Sequence, residues 1–160
     1  MADMLVKLYD MPKIDLDARL EAEGVKIKRA MSLDKADIAE FIRAHFYHKW
    51  EYECERALFN NPSSCYIAVK GGMIIGFACY DATAPGFFGP TGVAPDETGK
   101  GIGKALLGKC LESMKEKGYG YAIIGYVTTA IEFYAKAVNA VVIEGSEVNT
   151  SIYSNLVSAE

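Results

Sequence analysis

Four glycines fall within residues 91–107, Thr-Gly-Val-Ala-Pro-Asp-Glu-Thr-Gly-Lys-Gly-Ile-Gly-Lys-Ala-Leu-Leu, and no other stretch restricts the fold so strongly. The segment reads as a strand end, a loop and a helix start. Gly92, Gly99, Gly101 and Gly103 remove side chains where a backbone turns tightly or approaches a ligand. From about Gly101 onward, Ile102, Leu106, Cys110 and Met114 recur with helical period, flanked by Leu107 and Leu111. A glycine loop feeding a helix N-terminus offers unpaired N–H groups and the positive end of a helix dipole. Lys100 and Lys104 add positive charge. The expected guest is a phosphate or diphosphate.

Two common phosphate loops do not fit. A Walker loop requires Gly-x-x-x-x-Gly-Lys-Ser/Thr. Here Gly103-Lys104 has Thr98 at the first glycine position and Ala105 after the lysine. A dinucleotide fingerprint requires Gly-x-Gly-x-x-Gly and an acidic residue ~20 positions later. Here Gly101-x-Gly103 is followed by Leu106, and positions 121–127 carry no acid.

A chain of 160 residues predicts one domain. Net charge is −4, which gives no electrostatic footprint for nucleic acid. The anion site must then be local. Cys54, Cys65, Cys79 and Cys110 have no metal-type spacing. No metal is expected, and the cysteines read as structural thiols. With no leader and no apolar run of membrane length, the expectation is a cytoplasmic protein without a membrane partner.

Residues 1–24 are read as an N-terminal extension packed on the domain or on a partner, with Met4, Leu5, Val6 and Leu8 apolar and Pro12 interrupting. Residues 25–160 form the main domain. Residues 25–30 alternate as a strand. Ser32 or Asp34 then caps a helix with Ile38, Phe41, Ile42 and Phe46 as its stripe. A second helix, 49–58, carries Trp50, Cys54 and Leu58. Strands 64–70 and 73–80 flank a Gly71-Gly72 hairpin turn. Strand 87–93 precedes the glycine loop, with Pro90 at an edge or bulge. Strand 119–127 is almost continuously apolar, the type buried on both faces. Thr128 or Thr129 caps a helix through Ala137, with Ile131, Tyr134 and Val138 on one side. Strands 141–143 and 151–157 close the chain.

Val93-x-Pro95 followed by Gly99-Lys100-Gly101-Ile102-Gly103-Lys104-Ala105-Leu106-Leu107 resembles the acetyl-CoA loop of the GNAT family of N-acetyltransferases, usually Gln/Arg-x-x-Gly-x-Gly/Ala. Thr98 stands where Gln or Arg is usual. The order of elements from 25 to 157 resembles the same family. The resemblance implies a mixed α/β sheet of three antiparallel strands followed by a strand–helix–strand unit, splayed at the cofactor site. It implies acetyl-CoA as cosubstrate, held by Thr91, Gly92, Val93, Thr98, Gly99, Lys100, Gly101, Ile102, Gly103 and Lys104. Gly92 would suit a bulge where a backbone N–H polarises the thioester carbonyl. Ala130-Ile-Glu-Phe-Tyr134 resembles the family's Ala-x-x-x-Tyr segment, which makes Tyr134 the candidate general acid toward the departing thiolate.

The resemblance further implies a carboxylate base. Strand 87–93 holds no acid, and Asp81 is the first candidate, with Glu51, Glu53 and His45 behind it. The aromatic run from Phe46 through Trp50 to Tyr52 reads either as an acceptor-binding wall or as a core between two helices. The activity implied is transfer of acetyl to a primary amine by direct attack in a ternary complex, with a small-molecule amine or a protein amine as acceptor. Dimers are common in the family. The sequence also admits two other functions: a non-catalytic acyl-CoA-binding sensory module and a nucleotide-binding regulatory domain.

Overall fold

The computed structural model describes residues 1–147 and 149–157. Seven strands form one mixed sheet: β1 (Ala2–Lys7), β2 (Val25–Arg29), β3 (Cys65–Lys70), β4 (Met73–Tyr80), β5 (Phe87–Val93), β6 (Tyr121–Val127) and β7 (Val141–Val142). Five helices join them: α1 (Asp17–Ala22), α2 (Lys35–His45), α3 (Trp50–Leu58), α4 (Ile102–Lys117) and α5 (Ile131–Val138).

Local chemistry explains the central hairpins. Gly71 and Gly72 both have positive φ, +57° and +76°, so the two-residue turn matches the twist of β3 and β4. β2 through β5 run as an antiparallel meander, and β5 pairs parallel with β6 across α4. α4 lies between two left-handed glycines, Gly101 at φ +87° and Gly118 at +106°. Gly118 donates to the last turn and closes the helix.

The sheet order is β2-β3-β4-β5-β6-β1-β7. β1 is therefore internal, antiparallel to β6 on one side and β7 on the other. Met4, Val6 and the following Leu8 are fully buried, so the apolar start of the chain is core rather than surface. The strand expected at 151–157 does not form; Ile152–Asn155 is a 3-10 turn. The reason is topological. β6 has β5 on one edge and β1 on the other, so no ladder position beside it remains for a later strand.

Two cores flank the sheet. On one face α4 and α5 bury Ile102, Leu106, Cys110, Met114, Tyr134 and Val138 against Met4, Val6, Ala78 and Ile124. On the other, α2 and α3 bury Ile38, Phe41, Ile42 and Cys54 against Ile67, Phe77 and Cys79. All four cysteines are free and buried, with Cys54 Sγ 3.4 Å from Cys79 Sγ. β6 differs from the reading of a strand buried on both faces. Ala122, Ile124 and Val127 are buried, while Tyr121 and Tyr126 are exposed. Only its α4/α5 face is fully covered.

Candidate active site

The glycine loop runs out of β5 and into α4. Gly99 (φ +78°) and Gly101 (φ +87°) adopt backbone that L side chains rarely take. The first helical bond is Ala105 N–H to Gly101 C=O, at 3.0 Å. The N–H groups of the preceding residues, Ile102, Gly103 and Lys104, therefore have no helical acceptor and converge at the loop. The Ile102 side chain is buried, so it can meet a ligand only through its N–H. Thr98, Gly99, Lys100 and Lys104 are exposed. Thr98 Oγ1 donates back to Pro95 C=O at 2.9 Å, so its side chain turns toward its own loop. Lys100 Nζ lies 2.7 Å from Glu97, which also pairs with Lys70 at 3.5 Å.

β5 and β6 part company early. Their ladder holds only Phe87↔Ile123 and Phe88↔Ile124. Beyond Phe88, β5 stays on β4 through Thr91↔Ala78, Gly92↔Phe77 and Val93↔Gly76, while β6 follows β1 to Val127. A wedge opens between them, lined by the unladdered edge of residues 89–93. The bulge of β5 falls at Pro90, one of the two positions expected for it, and not at Gly92. Register shifts between Phe88 and Thr91, at Gly89-Pro90, where proline has no N–H to offer. Gly92 itself pairs regularly. Its side-chain-free face exists because a Cβ there would stand 2.5 Å from Phe46 Cζ. Thr91 Oγ1 donates to Phe77 C=O at 3.0 Å, which fixes this stretch on β4.

Tyr134 sits at the vertex of the wedge. α5 buries its ring edge-on to Phe88, the last β5 residue paired with β6, with centroids 6.2 Å apart. Burial pushes the phenol up to about 12. Its hydroxyl makes no hydrogen bond among the described residues.

Asp81 is placed differently. It ends β4 with φ +51° and turns its carboxylate away from the wedge. Gly86 N–H (2.8 Å) and Tyr119 O–H (2.9 Å) donate to Oδ1, and Lys117 Nζ lies 2.7 Å from Oδ2. These partners tie the β4–β5 loop to the end of α4. Of the other acids considered, Glu51 pairs with Arg43 at 2.6 Å, and His45 is exposed at the end of α2.

Glu53 has a different setting. It projects from α3 on the opposite face of the sheet from Tyr134, accepts from Thr83 Oγ1, and is held above the usual carboxylate range by burial. Tyr153 joins this group from the C-terminal turn. Its hydroxyl lies 2.2 Å from where a Cβ on Gly125 would be, and its ring meets Tyr126 edge-on at 5.3 Å. Burial, with Glu53 and Asp3 nearby, pushes the Tyr153 phenol well up. The aromatic run divides. Phe46 and Trp50 stack at 5.7 Å beside Gly92, whereas Tyr47 and Tyr52 are exposed.

Tyr153 and Thr83 were missed in the sequence. A signal existed for the first: Gly125 interrupts an otherwise bulky strand, and a glycine there leaves space for a visiting ring. Among the described residues no cluster of His, Cys, Asp and Glu could hold a metal, and no helix is long and apolar enough to cross a membrane.

A mixed sheet opened beside a glycine loop at a helix N-terminus defines an acyltransferase-type fold. The model of the acetyltransferase (GNAT) family matches residues 31–139. This chain belongs to that family, whose members are acetyl-CoA-dependent acetyltransferases. Among solved structures it is similar to the GCN5-related glucosamine N-acetyltransferase region of a fungal multi-domain GH3 β-N-acetylglucosaminidase, with TM-score 0.72, 16% identity and coverage of 89% of this chain and 19% of that one. A GCN5-related N-acetyltransferase from Sphaerobacter thermophilus gives TM-score 0.69 at 20% identity, over 89% of this chain and 48% of that one. A GNAT family acetyltransferase from Brucella melitensis, in complex with acetyl-CoA, gives 0.52 at 21%, over 68% and 80% of the two chains. The chain thus spans about a fifth and about half of the first two. No curated protein matches the sequence significantly.

Proposed function

We propose that this chain transfers acetyl from acetyl-CoA to a primary amine of a small molecule by direct attack in a ternary complex. The observation that carries the reading is the wedge between β5 and β6, with the glycine loop and Tyr134 on the α4/α5 face. The loop suits a diphosphate: exposed backbone, left-handed glycines and an unladdered strand edge leading away from it. A pantetheine arm laid along residues 89–93 would reach the vertex beside Tyr134.

The amine nitrogen attacks the thioester carbonyl carbon, the C–S bond breaks, and the thiolate leaves toward Tyr134. The nitrogen gives up a proton. Glu53 suits that task because it is partly desolvated, singly hydrogen-bonded and on the face from which an amine would enter. Asp81, whose carboxylate is met by three donors, serves better as a strut for the β4–β5 loop. Glu53 near Tyr153, whose ring meets Tyr126, also favours a cationic acceptor, since aromatic faces and a carboxylate both attract an ammonium group.

The test begins with thermal unfolding in the presence of acetyl-CoA, CoA, ATP or NAD. At a hundredfold excess over Kd a ligand adds ~2.7 kcal/mol. Shifts with acetyl-CoA and CoA alone support the reading, and acetyl transfer to members of a cationic amine panel completes it. A shift with ATP or NAD alone overturns it. Coenzyme binding without turnover on any amine selects a non-catalytic acyl-CoA module instead.

A further inference from the structure

The outer face of α4 carries a second glycine, Gly108, seven residues after Gly101 and so on the same side of the helix. Neither is left bare. A Cβ at Gly108 would stand 2.9 Å from Ile14 Cβ, and one at Gly101 would stand 2.3 Å from Arg19 Nη2 and 3.4 Å from Leu16 Cδ1. Asp17 Oδ2 takes Lys109 Nζ at 2.7 Å between these two contacts. The segment from Ile14 to Arg19 is therefore a strap seated on α4, and its end reaches the glycine loop. There Arg19 Nη2 donates to Lys100 C=O at 2.8 Å.

This places a guanidinium beside the loop's two lysines, Lys100 and Lys104. Lys100 is engaged by Glu97, and Thr98 is turned to its own backbone. Arg19 has one charged partner, Glu23, at 3.6 Å with both side chains about half exposed, a contact that solvent screens. A guanidinium carries five N–H donors in a planar fork that matches phosphate oxygens. One donor fixes its plane on the Lys100 carbonyl, and others remain.

We propose that Arg19 is a phosphate ligand for the coenzyme, delivered to the glycine loop from the N-terminal strap, and that it grips the diphosphate. The proposal rests on the acetyl-CoA reading above. It gives the strap a purpose beyond packing: an arm outside the loop supplies a planar, multi-donor fork that the loop's lysines, as point charges, do not.

The test measures affinity of the full chain and of Arg19→Gln for acetyl-CoA, 3′-dephospho-acetyl-CoA and S-acetylpantetheine, which has no phosphate. Arg19→Gln should weaken acetyl-CoA and its dephospho form alike, by ten- to a hundredfold, and leave S-acetylpantetheine unchanged. Arg19→Lys should recover part of the loss. Glu23→Gln, which keeps the guanidinium, should bind as well as wild type or better. A loss confined to acetyl-CoA, spared with the dephospho form, would assign Arg19 to the 3′-phosphate and overturn the diphosphate grip. Equal loss for S-acetylpantetheine, or no loss at all while wild type binds acetyl-CoA, would reduce Arg19 to a packing residue. Failure of wild type itself to bind acetyl-CoA would instead remove the coenzyme reading, and this proposal with it.

Discussion

Tyr134→Phe isolates one hydroxyl, and the structure says what its removal should and should not do. The ring is 7% exposed and its hydroxyl has no hydrogen-bond partner among the described residues. Deleting the hydroxyl therefore orphans no buried partner, and the variant should melt with wild type near pH 7. Burial raises the phenol from 10 to about 12. A raised folded-state pKa contributes stability that is complete below the unfolded value and is lost as pH rises through the folded one. Between pH 10 and 12 wild type should lose stability relative to Tyr134→Phe, by about 2 kcal/mol at pH ~11.5. Urea unfolding of both proteins at pH 8 and in the alkaline range measures it.

The same burial shapes the catalytic role proposed for Tyr134. A phenol near 12 is a weaker acid than a free thiol near ~8.5, so full proton transfer is uphill unless the departing thiolate is desolvated as well. In the role proposed for it, Tyr134 would act chiefly by donating a hydrogen bond to the leaving sulfur as its charge develops. Loss of that contact should lower kcat at least tenfold, toward the low end of the usual ~10²–10⁴-fold for general acids, with acetyl-CoA affinity little changed. Wild-type kcat should also stay level from pH 8 to 10, because the phenol is still protonated there. Unchanged turnover in Tyr134→Phe at saturating acceptor would refute the role. A descending limb near pH 10 that disappears in the variant would refute the claim that burial sets the phenol.

Other perturbations separate strut from site. Gly92→Ala drives a Cβ into the Phe46 ring, which Trp50, Phe41 and Phe77 hold in place, so a loss of ~1–3 kcal/mol in thermal unfolding is expected. Gly103→Ala is its contrast: the new Cβ meets Val93 Cγ2 at 3.6 Å inside a helix, and the melting temperature should not fall. Asp81→Asn breaks the contact with Lys117 and should cost ~1–3 kcal/mol while sparing kcat well below the melting temperature. A large kcat loss in the folded variant would return Asp81 to the role of base. Glu53→Gln should lower kcat/KM at neutral pH yet be no less stable there, because burial raises the Glu53 carboxyl and its ionised form weakens the fold. That stability advantage should shrink as pH falls through the carboxylate range; kcat/KM equal to wild type would remove Glu53 from the reaction.

What the sequence revealed depended on how far apart the interacting residues lie along the chain. The Gly71-Gly72 hairpin, the α4 stripe and the glycine loop are local patterns, and each formed where its spacing indicated. Tyr134 was legible as a position on a helix face, but its place at the wedge depends on Phe88, which no periodicity links to it. Asp81 was read from its place at a strand end. The donors that occupy it come from Gly86, Lys117 and Tyr119, up to 38 residues away.

The two ends of the chain were the least legible, and the cause is shared. A β-strand's own pattern gives its face but not its neighbour. Residues 2–7 and 151–157 were both apolar enough to compete for the edge of β6. β1 holds that edge through Ala2↔Val127 and Met4↔Ile124, and Asp3 secures it further by accepting from Tyr126 N–H at 2.9 Å. Once that edge is taken, the C-terminal segment cannot pair with β6 and instead turns across it, with Tyr153 above Gly125. One choice of strand partner therefore has two effects at the site. It leads the chain through the strap, which brings Arg19 to the glycine loop. It also leaves Tyr153 free to stand beside Glu53 on the opposite face, where the acceptor is proposed to enter.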